Sequence, residues 1–361
     1  MPDSSPERVM ALGHEAALLP AQAAPGTVRA VLYRDGRRES ETDTVEEARR
    51  AVTADSGLMA WVSMTAPDQE QLTDVARHFS LPRLALEDAI VAHQRPKVET
   101  YGDVLFVVLR PAGYDRGQET VQVGELHLFA GDGFVITIRH TGQVDVEAVR
   151  DHLEAEPRVL AHGPLAVVLA VLDRVVDAYA PVVFDLQDDI DEVETQVLDS
   201  APQVSRRTYR LARQVIVLHR AVDPLDVALT DLMTILERPE GTEPGPPQAA
   251  GANRNVLHNL LRDVADHVTA VRDHVEGFRQ ILQNIMTVNS ALIDQAQNEA
   301  MKKVSSWGGI LVVPTLIASA YGMNIAPRPG YEWTFSWPLA LALMALSSLT
   351  LYVVFRRNGW L

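Results

Sequence analysis

The sequence predicts an α+β domain followed by long helices and two C-terminal transmembrane helices. Three features carry that expectation. Short β-rich runs alternate with helical segments over residues 26–160, apolar residues recur at helical spacing from Pro164 onward, and two long uncharged stretches close the chain.

Residues 1–25 hold neither a positive n-region nor a long apolar run, so they read as a disordered leader rather than a signal peptide. In the α/β domain, 26–160, the strand candidates are Val28–Tyr33, Leu58–Ser63, Val104–Leu109, Val123–Phe129 and Phe134–Arg139. Gly131-Asp132-Gly133 turns the last two into a hairpin. Val45–Ala54 and Pro67–Phe79 read as helices, the second capped by Asp68 or Thr65. Residues 161–252 read as helices and a loop. Leu165, Val168, Leu172, Val175, Tyr179, Val182, Leu186, Ile190, Val193 and Val197 keep a spacing of about 3.6 residues, the period of one helix face. A second helix covers Val204–Leu236 with a bend at Pro224, and the Pro/Gly-rich 238–251 is a loop.

The third helix begins near Asn253. Leu257, Leu261, Val264, Val268, Val271, Val275, Phe278, Leu282 and Ile285 alternate in steps of four and three, a 3.5-residue seam that calls for neighbouring helices. No breaker separates this seam from the first uncharged stretch, so one helix is expected over 253–321, ~100 Å long at 1.5 Å per residue.

The uncharged stretches are Val304–Tyr321 and Phe335–Phe355, joined by an external loop at 322–334. A helix of ~20 apolar residues crosses the hydrocarbon core. Lys302 and Lys303 precede the first stretch, while Arg356 and Arg357 open the basic C-terminus, 356–361. Two spans bring both basic flanks to one side, and basic flanks mark the cytoplasmic side. Both termini are therefore expected in the cytoplasm and the chain in a cell (inner) membrane.

Charge supports this division. The chain carries 32 basic and 48 acidic residues, net −16. From Met301 onward the basic residues are Lys302, Lys303, Arg328, Arg356 and Arg357 and the one acid is Glu332, so residues 1–300 hold the whole acidic excess. Such a body argues against nucleic-acid binding and suits cations. With no cysteine there is no disulfide, thiol nucleophile or Cys-ligated metal. The absence of HExxH, GxSxG and a Walker loop gives no support to an enzyme, and no organic cofactor is expected.

Along the first span, Asn298, Met301, Ser305, Gly308, Val312, Thr315 and Ser319 continue the seam, and most are small or polar. In a bilayer such a stripe marks either helix–helix contact or a wall facing water. Two spans per chain cannot enclose a pore, so a water-facing stripe requires a homo-oligomer. The span ends in Tyr321-Gly322-Met323-Asn324. Gly322 and Asn324 could simply end and cap the helix. Alternatively, a ring of Asn324 carboxamides could hydrogen-bond the hydration shell of a small hard cation such as Mg²⁺ without stripping it.

Tyr321-Gly322-Met323-Asn324, closing the first of two C-terminal spans, resembles the motif of the CorA family of divalent-cation channels. So do Ala85-Leu86-Glu87-Asp88 with His93-Gln94-Arg95-Pro96-Lys97-Val98-Glu99, the run Pro314–Ser319, and the basic end Arg356–Leu361. The resemblance covers about residues 26–361. It implies a funnel-shaped homopentamer in membrane lipid that imports Mg²⁺, often Co²⁺ and Ni²⁺ as well, with Gly322, Met323 and Asn324 as the selectivity filter. It implies hydrophobic gating at Met301, Val304 and Val312, and polar pore positions at Asn298 and Thr315. It also implies a regulatory Mg²⁺ between subunits, held by Asp88 and by Asp263 in the family-like run Leu261–His267. The loop departs from the family pattern: Ile325-Ala326-Pro327-Arg328-Pro329-Gly330-Tyr331-Glu332 replaces an acid-rich Met-Pro-Glu-Leu run. Concentration of cations by a strongly acidic mouth is not expected here.

Two clusters have plain readings. Asp185, Asp188, Asp189, Asp191, Glu192, Glu194 and Asp199 form a solvated acidic face, or a cation reservoir as the family's outer helices suggest. His258, His267 and His274 read as solvated rather than as a zinc site. Alternative functions are a CorA-like zinc transporter, against which Met323 argues, and a non-conducting membrane-anchored metal sensor, against which the polar stripe argues.

Overall fold

The computed structural model describes residues 26–42, 44–91, 94–141, 144–198, 204–237, 251–323 and 335–361. The leader 1–25, most of the Pro/Gly-rich loop, and the external loop from Asn324 through Thr334 lie outside these residues.

The elements in chain order are β1 (Thr27–Arg34), β2 (Arg37–Thr42), α1 (Val45–Ala54), β3 (Leu58–Thr65), α2 (Gln69–Phe79), α3 (Arg83–Val91), β4 (Lys97–Tyr101), β5 (Val104–Leu109), β6 (Ala112–Asp115), β7 (Thr120–Val123), β8 (Leu126–Gly131), β9 (Phe134–Arg139), α4 (Val146–Ala155), α5 (Pro157–Leu160), α6 (Pro164–Asp177), α7 (Tyr179–Leu198), α8 (Val204–Val222), α9 (Leu225–Glu237), α10 (Gly251–Gly322) and α11 (Ser336–Arg357). They divide into two compact units. One runs to Val193 and includes Arg206–Leu282; the other comprises Glu194–Ser205 and Gln283–Leu361.

In the first unit a seven-stranded sheet has the order β2-β1-β3-β9-β8-β5-β4, with β3 and β9 parallel and every other pair antiparallel. Both faces of its central strands are covered, so β5 is buried at every residue and β3 at every residue but the last. Ala30, Leu32, Ala60, Val62 and Met64 join the core under α1, α2 and α3. Val31, Tyr33 and Trp61 point to the opposite face and are equally buried. On that side α6 lies against β8 and β9, and α4 against α6. Asp68 caps α2 in a full capping box with Gln71.

Several expectations need correction. Val123–Phe129 is not one strand: β7 ends at Val123, and β8 starts at Leu126 after Glu125 turns into a buried cluster with His127 and Arg110. The helix face from Leu165 to Val197 is buried throughout, but two helices carry it. Pro181 has no N–H to donate to the Asp177 carbonyl, and the helix breaks at Ala178. Pro224 likewise separates α8 from α9 rather than bending one helix. The hairpin strand β2 is turned by Asp35 and Gly36, both at positive φ. A Cβ at Gly36 would lie 1.8 Å from the Pro157 carbonyl oxygen, so only glycine fits.

The seam from Leu257 to Ile285 is buried at every member. The chain therefore satisfies it internally, and the seam does not by itself call for another copy.

Candidate functional site

Two places in the molecule gather the residues singled out above. The first is the C-terminal part of α10, within the second unit. α10 and α11 are both long and apolar enough, by length and composition, to cross a membrane. They contact each other along one face of α10. Ser306 is fully buried and Ile310 nearly so, Val313 and Ile317 are half-buried, and a Cβ added at Gly309 would touch the Phe355 ring at 3.5 Å. Pro314 cannot donate to the Ile310 carbonyl, and the Ser348 hydroxyl of α11 stands 3.5 Å from that oxygen, at the limit of a hydrogen bond.

Asn298, Met301, Val304, Ser305, Gly308, Val312, Thr315 and Ser319 all lie off this face and are exposed. Contact with α11 therefore does not explain the small and polar stripe. Neither glycine at issue has a local reason to be glycine: a Cβ at Gly308 or Gly322 would meet nothing within 4 Å, and Gly322 is not at positive φ. The Thr315 hydroxyl donates to the Leu311 carbonyl at 2.7 Å, which leaves its oxygen outward as an acceptor. Met323 closes the helix with a weak 3.4 Å bond from its N–H to the Ala320 carbonyl and is exposed. Asn324 lies outside the described residues.

The second place is in the first unit, where the structure sets the two expected regulatory carboxylates in different surroundings. Asp88, on α3, accepts a 2.7 Å bond from the Lys97 ammonium on β4, and Lys97 gives a second, also of 2.7 Å, to Glu99. Burial pulls the Lys97 pKa down, but its bonds to Asp88 and Glu99 outweigh that and leave it raised. Glu99 also accepts from the Tyr101 hydroxyl, whose pKa is pushed up to about 12, first by that bond and then by burial.

Asp263, on α10, is exposed and lines a cleft with Asp173 and Asp177 of α6 and with His152 and Glu156. Across α6 and α10, the ligand atoms of Asp173, Asp177 and His267 lie within 4.8 Å of one another. That is close enough for one cation to be shared. The sequence conceals this group, because Asp173 and Asp177 sit in an apolar helix period and His267 reads as solvated. Its Nδ1 is in fact 3.7 Å from Asp177, and His258 is 3.7 Å from Glu237. The i, i+4 spacing of Asp173 and Asp177 was the available signal.

Burial, then repulsion from Asp177, raises the pKa of Asp173. A carboxyl with a raised folded-state pKa binds its proton more tightly when folded, so its charge weakens the fold as pH rises through that pKa. Asp173→Asn is expected to raise the thermal midpoint at pH 7 in chelator by roughly 1–2 °C. The gain should shrink as the pH falls into the carboxylate range, where the wild-type side chain takes up its proton. Scanning calorimetry of both proteins across pH checks this.

The acidic run on α7 is not simply solvated. Asp185 pairs with Arg116, and Asp189 accepts from Tyr114. Arg207 reaches Glu119, Asp189 and Glu192 at 2.9, 3.3 and 2.7 Å.

Comparison with known proteins settles the family. The profile of the CorA-like Mg²⁺ transporter protein family matches residues 56–357. The chain belongs to the CorA-like Mg²⁺ transporter family. It is 27% identical over 327 residues to the cobalt/magnesium transport protein CorA of Thermotoga maritima, covering 90% of this chain and 89% of that one. It is 20% identical over 321 residues to the CorA of Methanocaldococcus jannaschii, covering 88% and 96%. The complete structure of the magnesium transporter CorA from Methanocaldococcus jannaschii matches with a TM-score of 0.70, covering 93% of this chain and 99% of that one. The CorA fold of an α/β domain, a long helix and two C-terminal apolar helices is therefore that of this chain, and its family is one of transporters rather than enzymes.

Proposed function

We propose that the chain forms a homopentameric channel in the cell membrane, with both termini cytoplasmic. It conducts Mg²⁺, and with it Co²⁺ and Ni²⁺, into the cell down the membrane potential, and cytoplasmic Mg²⁺ closes it. The observation that carries this reading is the stripe from Asn298 to Ser319, exposed on α10 while α11 covers a different face. A stripe of small and hydroxylated side chains left bare in a bilayer needs either another copy or water against it, and copies arranged around α10 supply both.

In this arrangement Gly322, Met323 and Asn324 form the mouth. The neutral carboxamides hold the hydrated ion loosely enough to release it. Asn298, Ser305, Thr315 and Ser319 offer oxygens to its water shell. Met301, Val304 and Val312 form apolar rings that shut by dewetting. Asp88 of one subunit and Asp263 of its neighbour would hold the regulatory Mg²⁺, with Asp173 and Asp177 adding negative charge beside Asp263. The donors are oxygen-rich and suit a hard cation that keeps several waters.

Native mass spectrometry in mild detergent is expected to give a pentamer; a stable monomer or dimer would count against the pore. Asp88→Ala and Asp263→Ala should each shift inhibition to higher internal Mg²⁺ without reducing maximal flux. Curves coinciding with wild type would remove both residues from the sensor. The zinc-transport alternative predicts Zn²⁺ uptake exceeding that of Mg²⁺, Co²⁺ and Ni²⁺ in the same proteoliposomes.

A further inference from the structure

We infer that Lys97 is a built-in competitor for the divalent cation at Asp88, an ammonium that sets the Mg²⁺ concentration at which the channel responds. The inference rests on the reading of Asp88 as a regulatory ligand and goes beyond it, because it assigns the threshold to a residue that binds no metal.

The Lys97 Nζ lies 2.7 Å from Asp88 and 2.7 Å from Glu99, so the two carboxylates share one monovalent charge. Its backbone is fixed on β4, paired with Val108 of β5, and the ammonium stands 5.6 Å from the centroid of the Phe106 ring. A divalent ion reaching Asp88 must therefore displace the ammonium or sit beside it against charge repulsion.

Displacement is feasible because the pair is partly solvated. The Lys97 side chain is 25% exposed and that of Asp88 31%, and ion pairs open to water are weak. A displaced ammonium still keeps Glu99, which Tyr101 holds in place, and the face of Phe106. Lys97 thus has two resting places, and Mg²⁺ selects between them. Without the ammonium, Asp88 and Glu99 would be two unneutralised carboxylates within reach of one ion, a tighter site than a sensor of cellular Mg²⁺ should have.

Glu99 tunes the competition. While it shares the ammonium, it weakens the hold of Lys97 on Asp88. Removing its charge should commit Lys97 to Asp88 and make Mg²⁺ compete harder. The two substitutions therefore shift the response in opposite directions, which a simple loss of stability cannot do.

The test uses the full-length protein in detergent, with Mn²⁺ binding read by electron paramagnetic resonance and displaced by Mg²⁺, beside Mg²⁺ inhibition of flux in liposomes. Lys97→Met should tighten binding and lower the half-inhibitory Mg²⁺ roughly tenfold. Lys97→Arg should stay near wild type, and Glu99→Gln should move both readouts to higher Mg²⁺. If Lys97→Met fails to assemble, Lys97→Gln is read in its place, with the same expected direction. Asp88→Asn is the control. If it changes neither readout, the regulatory site itself is wrong and the inference falls with it. If Asp88→Asn weakens binding while Lys97→Met and Glu99→Gln match wild type, or shift the same way, the site stands and Lys97 is only a structural partner.

Discussion

Asn324→Ala is expected to bring Mg²⁺ uptake down to the level of empty liposomes while the oligomer still assembles. Hydrated Mg²⁺ exchanges its waters reluctantly, so the first contact must be made to the water shell, by oxygens that accept the outward O–H bonds of those waters. A carboxamide does this without charge, whereas alanine offers nothing. The competing role, capping α10, finds little support: the helix reaches Gly322, which is not left-handed, and the following N–H already turns back to Ala320. A cap lost from one helix end would cost about 1 kcal/mol of stability and leave conduction intact. Uptake by Asn324→Ala at the wild-type rate would return the residue to that lesser role.

Val312→Thr should have the opposite sign, producing flux at internal Mg²⁺ concentrations that silence the wild type. Val312 is exposed on the stripe, between Gly308 and Thr315. Threonine keeps the β-branched shape but puts a hydroxyl in place of one methyl, which favours water in a ring that otherwise dries. The hydroxyl can bond back to the Gly308 carbonyl, as Thr315 does to Leu311, so the helix should tolerate it. Inhibition that remains complete in Val312→Thr would place the gate elsewhere on α10.

Much of this architecture was legible before the structure because its signals are periodic. The two spans and the seam from Leu257 to Ile285 needed only spacing, and β5 and β9 needed only β-branched runs between turns. What escaped depends on contacts distant in sequence or on punctuation within a period. β2 is polar and lies at the sheet edge, so only the Asp35-Gly36 turn announced it. Pro181 broke a helix face whose apolar pattern ran on unperturbed. At the candidate sites, resemblance named Asp88 and Asp263. It could not show that Asp88 shares the Lys97 ammonium with Glu99, or that Asp173 and His267 gather near Asp263, since those groups meet only in the folded chain.

Mg²⁺ uptake by the purified protein in liposomes, at equal Mg²⁺ on both sides and with an imposed potassium diffusion potential, tests the pore most directly. An inside-negative potential favours influx of a divalent ion by ~4–5 kcal/mol per 100 mV, and no nucleotide-binding motif offers another source of energy. A conducting pore around α10 predicts uptake that appears with the potential, grows with it and stops when it is collapsed. Uptake no greater than in empty liposomes at every potential and every internal Mg²⁺ concentration would contradict it.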